Sequence, residues 1–218
     1  MYAITAIVAC TIAFFVYQYW KYKASDNGAP YVAIEHPVVE HILQLAQIEP
    51  DDVLYDLGSG DGRVPIAAAL NYNIKAVGIE IDRFRHWYAL YQRFILRLGN
   101  RVTFINKNIF NVNLSEATIC FVYLTQQANE GLEDKFLKEL GEGTLIISPS
   151  FQFPGWTPVY VDENPTLHTP WGPTYFYEIG TSNPKVAEQT AVATPPVQPE
   201  VEQARQAPNL TPPTQPNP

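Results

Sequence analysis

The stretch Val53-Leu-Tyr-Asp-Leu-Gly-Ser-Gly-Asp-Gly-Arg63 organises the rest of the chain. Val53 to Leu57 is a short apolar run of strand character. It breaks into a turn carrying Gly58, Gly60 and Gly62, and the chain resumes near Pro65 as a helix through Ile66 and the alanines to Leu70. Strand, glycine turn and helix in that order form a cradle for a nucleotide-like cofactor. The glycines permit positive φ and keep Cβ atoms off a ligand, and the helix N-terminus presents free N–H groups.

Spacing chooses among cofactors. A dinucleotide fingerprint, G-x-G-x-x-G, needs a third glycine for close helix–strand packing, and Arg63 occupies that position. The NAD reading weakens accordingly. What stands is acid-x-G-x-G-x-G from Asp56 to Gly62, which resembles the first motif of the seven-strand S-adenosylmethionine (SAM) methyltransferases. The resemblance implies that Asp56, Gly58, Ser59, Gly60, Asp61 and Gly62 surround the methionine part of the cofactor, with the strand-end carboxylate serving its ammonium side. SAM has no pyrophosphate, so an acid within the turn is tolerable.

A second strand, Lys75 to Asp82, places Glu80 22 positions after Gly58. An acid at the end of the second strand of a βαβ unit can accept hydrogen bonds from both ribose hydroxyls. Glu80, with Ile81 beside it, is the expected ribose end. A third strand, Val102 to Ile105, leads into Asn106-Lys-Asn108-Ile109-Phe110. In the fold resembled, this loop carries an Asp for the adenine amino group. Asn108 stands there in this chain, and its side-chain oxygen can accept the same hydrogen bond. Asn108, Ile109 and Phe110 are therefore the expected adenine end.

The remaining elements keep the alternation. Pro37 opens a helix whose Val38, Val39, Ile42 and Leu43 recur at helical spacing. Another runs from about Arg83 to Leu98 and ends at Gly99-Asn100, with Trp87, Leu90, Tyr91, Phe94, Ile95 and Leu98 as its expected packing stripe. Thr118 to Leu124 is a continuous apolar strand of the kind buried on both faces. An amphipathic helix from about Asn129 to Leu140, a strand at Thr144 to Ser148, and a closing antiparallel pair at Val159 to Asp162 and Tyr175 to Ile179 follow. The predicted fold is α/β, a Rossmann-like seven-stranded class I methyltransferase sheet with helices on both faces.

The two ends differ in composition. Tyr2 to Trp20 carries no charge, and its 19 residues would reach about 28 Å as a helix, close to the ~30 Å hydrocarbon core of a bilayer. Tyr17, Tyr19, Trp20 and Tyr22 form an aromatic belt followed by Lys21 and Lys23. A single-pass anchor over residues 1–23 is expected, with the following domain on the cytoplasmic side, or the matrix side in a mitochondrion. The domain occupies residues 24–181. Residues 182–218 are rich in Pro, Gln, Thr and Ala, and are expected to be disordered.

A net charge of −8 argues against a nucleic-acid partner, since phosphate binding needs a basic stripe. Two cysteines, Cys10 and Cys120, and four scattered histidines suggest neither a disulfide framework nor a metal site.

A narrower resemblance rests on Asp56 to Arg63, preceded by Pro30-Tyr31-Val32 and followed by Gly78-Ile-Glu80, Phe121-Val-Tyr123-Leu124 and Phe151-Gln-Phe153-Pro-Gly-Trp156. Over about residues 30 to 160 the chain resembles the membrane-anchored protein-lysine N-methyltransferases of mitochondria and their prokaryotic relatives. This implies a lysine side chain of a membrane-associated protein as methyl acceptor. Tyr31, Tyr123, Phe151 and Trp156 are the candidates for holding its amine by their aromatic faces. No residue stands out as a general base. The alternatives are a small-molecule methyltransferase acting on a quinone or lipid precursor, and an inactive tethered SAM-binding scaffold.

Overall fold

The computed structural model describes Thr11 and residues 31–167, 169–170 and 172–183. The expected anchor, apart from Thr11, and the expected tail beyond Asn183 lie outside the described residues. Among the described residues no helix is long and apolar enough to cross a membrane.

Among the described residues seven strands are present: β1 (Val53–Leu57), β2 (Lys75–Ile79), β3 (Val102–Ile105), β4 (Ile119–Val122), β5 (Leu145–Pro149), β6 (Tyr160–Asp162) and β7 (Thr174–Glu178). They form one sheet in the order β3-β2-β1-β4-β5-β7-β6. The first five pair in parallel, and β7 runs antiparallel to both β5 and β6. Chain order reverses beside β1, with β2 on one side and β4 on the other. Ligands of open α/β sheets bind at the carboxyl ends of strands at such a switch point.

Alternation in β1 sends Leu54 to one face and Tyr55 and Leu57 to the other. Leu54 joins the core beneath α1 (His36–Leu45) and α2 (Arg63–Asn71), with Val39, Ile42, Leu43, Ala68, Phe121 and Ile147. Tyr55 and Leu57 meet Leu132 and Phe136 of α4 (Gln126–Glu139). Each aliphatic side chain so buried contributes about 1.5–3 kcal/mol. Pro37 stands in the first turn of α1, and Thr125 caps α4 by accepting from the Ala128 N–H at 3.2 Å. Across the sheet edge, His41 Nε2 of α1 meets Asp162 Oδ2 at the end of β6 at 2.9 Å. The fold continues past the expected boundary at residue 181: Ser182 and Asn183 are buried and accept from the N–H groups of Glu178 and Gly180.

The stripe expected on α3 (Arg83–Ile95) requires correction. Within this helix only Arg85 and Ala89 are buried, whereas Trp87, Tyr91, Phe94 and Ile95 are exposed. Ala89 packs with Ile66 and Ala69 of α2, Phe104 of β3, and Leu98 beyond the helix end. Periodicity identified an apolar face but not its orientation. The tight junction beside α2 admits the small Ala89, and the large side chains point away from it.

Candidate cofactor and acceptor site

At the end of β1 the chain leaves the sheet between two parallel neighbours, and the turn that does so is set by backbone conformation. Gly60 has φ +54, and a Cβ there would stand 2.6 Å from the Tyr31 ring. At Gly58, φ +91, the same atom would stand 2.6 Å from a Leu124 methyl. These positions are glycine because protein side chains, and not only a ligand, close over them.

Glu80 lies just beyond β2 and braces that turn. Its Oε2 accepts from the Gly60 N–H at 2.8 Å and its Oε1 from the Asp82 N–H at 2.7 Å. Asn106 Nδ2 donates to the carbonyls of Glu80 at 2.8 Å and Ile81 at 3.1 Å, which pins the ends of β2 and β3 together. Asp61 is held by Arg63, whose Nε donates to its Oδ1 at 2.9 Å and whose Nη1 donates to the Ile34 carbonyl. That pairing keeps the Asp61 carboxyl below its usual range against the opposing effect of burial.

These elements enclose a cavity of about 410 Å³. Asp56, Gly58, Ser59, Gly60, Asp61, Glu80, Ile81, Asn108, Ile109 and Phe110 line it, together with Tyr31 and Tyr123. Gly62 sits beneath the turn against Phe104 and does not line the cavity. The Asn108 oxygen accepts from the Phe110 N–H at 3.0 Å, so one of its two lone pairs is already engaged.

Three carboxylates thus share one small space. Asp56 is 4% exposed, and burial, followed by the charges of Glu80 and Asp61, raises its pKa well above the ordinary value. Burial also raises Glu80, partly offset by its two backbone hydrogen bonds. The Ser59 hydroxyl is buried with no hydrogen-bond partner among the described residues. Such a donor set suits a ligand that brings positive charge and hydroxyl groups, and opposes a pyrophosphate. SAM, with its sulfonium and ammonium, fits. Ile81, Ile109 and Phe110 add an apolar wall to the cavity.

Two phenols also line the cavity. Tyr31 donates to Asp61 and lies under the Arg85 guanidinium, whose Cζ is 4.5 Å from the ring centre. Its pKa is pushed up to about 12 by burial and then by Asp61. Tyr123, also raised by burial to about 12, meets the hydroxyls of Thr169 and Ser150. Ser150 and Thr169 are hydrogen-bonded to each other, and Ser150 holds φ 70, a strained value for a residue with a Cβ. Both phenols stay protonated at neutral pH, so they are aromatic surfaces and hydrogen-bond partners, not proton acceptors.

Phe151 and Trp156 do not line the cavity. Trp156 is buried in the core, 5.5 Å from Phe153 and 6.2 Å from Tyr177 between ring centres. Its aromatic surface is consumed by these neighbours. Phe151 is half-buried, and its carbonyl accepts from Asn129 Nδ2 at 3.2 Å. Sequence reasoning missed Arg63 and Arg85 as organisers of the site, along with the Ser150–Thr169 pair. Arg63 was legible as a cation two positions after Asp61. The other three are brought in by tertiary contacts.

Comparison with known proteins agrees with this geometry. A family profile described as the ANTKMT methyltransferase domain matches residues 56–160. A protein-lysine N-methyltransferase of Saccharolobus islandicus (strain REY15A) is 39% identical over 155 residues, covering 69% of this chain and 94% of that protein. An adenine nucleotide translocase lysine N-methyltransferase of Mus musculus is 31% identical over 139 residues, covering 61% of this chain and 57% of that protein. This chain therefore spans nearly all of the first relative and little more than half of the second. Among solved structures, one described as an RNA methyltransferase from Salinibacter ruber in complex with S-adenosyl-L-homocysteine superposes with a TM-score of 0.64 at 33% identity, over 68% of this chain and 94% of that one. A seven-stranded sheet, a carboxylate-lined cradle and these relatives lead to one conclusion: the chain belongs to the family of SAM-dependent protein-lysine N-methyltransferases.

Proposed function

We propose that the methyl acceptor is a lysine of a membrane-associated protein, presented to the cavity beside Tyr31 and Tyr123 while the N-terminal segment tethers the domain to the bilayer. The observation that carries this reading is the position of Tyr31. It lines the cavity, and it lies 11 residues after Trp20, the end of the expected span. That length of chain reaches at most about 40 Å, so a tethered domain would keep its cavity near the membrane. The name of the mouse relative, which specifies a translocase, points the same way.

SAM, when bound, supplies a sulfonium methyl for displacement by a neutral amine. Asp56, Asp61 and Glu80 would hold its polar groups, and Ile81, Asn108, Ile109 and Phe110 its base. The chain's own contribution to transfer is alignment and exclusion of water. Tyr31 and Tyr123 present ring faces that can hold an amine, and a partly apolar surround lowers a lysine's proton affinity. Tethering sets the anchor in the membrane and this domain on its cytoplasmic or matrix side.

An RNA acceptor is the reading that the Salinibacter ruber structure's description would carry over. A net charge of −8 and three carboxylates at the cavity disfavour a polyphosphate chain.

The test is incubation of the full chain with methyl-tritiated SAM and separated host fractions. Label recovered as N-methyl-lysine in membrane protein is the expected result. Label confined to RNA, to a lipid extract or to soluble proteins would overturn the proposal.

A further inference from the structure

Helix α3 turns its most hydrophobic face to solvent. Phe84, Trp87 and Phe94 are 73%, 70% and 80% exposed, and Tyr88, Tyr91 and Ile95 are exposed beside them. At about 100° per residue these six side chains fall within one arc of roughly 120°, on the opposite side from buried Ala89. Contiguous apolar exposure of this kind marks an interaction surface.

Its composition narrows the partner. From Arg83 to Arg101 the chain carries arginines at 83, 85, 93, 97 and 101 and no Asp or Glu, although the whole chain is at −8. Arg83 and Arg97 are exposed beside the aromatic face. A Trp, Tyr and Phe face bordered by arginine is the composition of a helix that lies in a membrane interface. A second copy of this face would bring arginine against arginine. An RNA would meet a face whose six large side chains carry no charge. The route of the chain favours the bilayer further. Tyr31, 11 positions after the end of the uncharged Tyr2–Trp20 run, packs its ring against Arg85 in the first turn of α3.

We propose that α3 is a membrane-docking helix, its face of Phe84, Trp87, Tyr88, Tyr91, Phe94 and Ile95 set into the headgroup layer of an anionic bilayer and Arg83 and Arg97 on lipid phosphates. The inference rests on the membrane placement proposed above and deepens it. A span alone limits distance, whereas a docked α3 fixes which way the domain faces.

The experiment uses the full chain with Cys10→Ser and Phe94→Cys, labelled at residue 94 with a nitrobenzoxadiazole probe; Cys120 is buried. A control carries the probe at exposed Glu142→Cys instead. Each is mixed with phosphatidylcholine vesicles with and without about one quarter phosphatidylserine. Flotation first establishes whether the chain is on the vesicles, which tests the placement by itself. Doxyl-labelled lipid should then quench the probe at 94 at least about twofold more than the probe at 142, more strongly with phosphatidylserine present. Arg83→Glu with Arg97→Glu should bring the 94 signal toward the control. A floating protein whose probe at 94 is quenched no more than the control overturns the docking helix while leaving the placement intact. Shielding of residue 94 without lipid that grows with protein concentration would instead assign the face to a second copy. A lipid-independent change on adding an RNA oligonucleotide would assign it to nucleic acid. Either result overturns the proposal.

Discussion

The carboxylate of Glu80 accepts the Gly60 N–H at 2.8 Å, so the residue just beyond β2 fixes the shape of the turn that follows β1. The same side chain lines the cavity. The lining of the cavity and the conformation of the glycine turn are therefore coupled through one buried carboxylate, which also accepts the Asp82 N–H.

Glu80→Ala should consequently damage more than a ribose contact. It leaves the N–H groups of Gly60 and Asp82 without their acceptor, at about 1–3 kcal/mol for a buried group. SAM affinity should fall at least about tenfold and the melting temperature should drop. Glu80→Gln keeps one acceptor oxygen and should lie between the two. Calorimetric titration and thermal melts of the three proteins check this order, and an alanine variant of native stability would contradict it.

Asp56 sets a dependence on pH. Its folded pKa is raised, while the unfolded value is about 3.9, so the folded protein holds the proton more tightly. The resulting stability is fully present below the unfolded value and is lost as pH rises through the raised native one. Glu80, also raised, acts with the same sign. The ligand-free protein should lose stability from acidic toward neutral pH, less so in Asp56→Asn. A bound cation favours the carboxylate, so the melting-temperature gain from saturating SAM should grow with pH in the native protein. Melts across that range measure both slopes, and equal slopes in native and variant would refute the assignment.

Gly60→Ala should be disruptive for two separable reasons. The backbone at φ +54 disfavours a side chain, and the new methyl would stand 2.6 Å from the Tyr31 ring. A loss of about 1–3 kcal/mol is expected. Tyr31→Ala removes the collision but not the backbone strain, so the double variant should be more stable than the sum of the single losses predicts. A double-mutant cycle by denaturant unfolding reads the coupling directly.

The two aromatics Tyr123 and Trp156 should separate activity from stability. Tyr123→Ala should lower kcat by about one to two orders of magnitude, through lost positioning of the acceptor, with a modest change in unfolding free energy. Trp156→Ala opens the cluster with Phe153 and Tyr177 and should cost about 3–5 kcal/mol. Any Trp156→Ala protein that still folds should retain the native kcat. Steady-state kinetics beside unfolding curves distinguish the pair.

The sheet and the cradle are legible in the sequence because both rest on local rules. Alternating strand and helix periods dictate a parallel α/β sheet, and Asp56-x-Gly58-x-Gly60-x-Gly62 with Glu80 defines the turn between its first two strands. Which aromatics reach the cavity, and which way α3 faces, depends on contacts between distant segments. Tyr31 and Tyr123 line the site and Trp156 is spent in the core. On α3, Ala89 meets α2 while Trp87 and Phe94 are left outside. A helical period reports that one face differs from the other. The space available against the neighbouring helix decides which face is buried, and that space is set by residues distant in sequence.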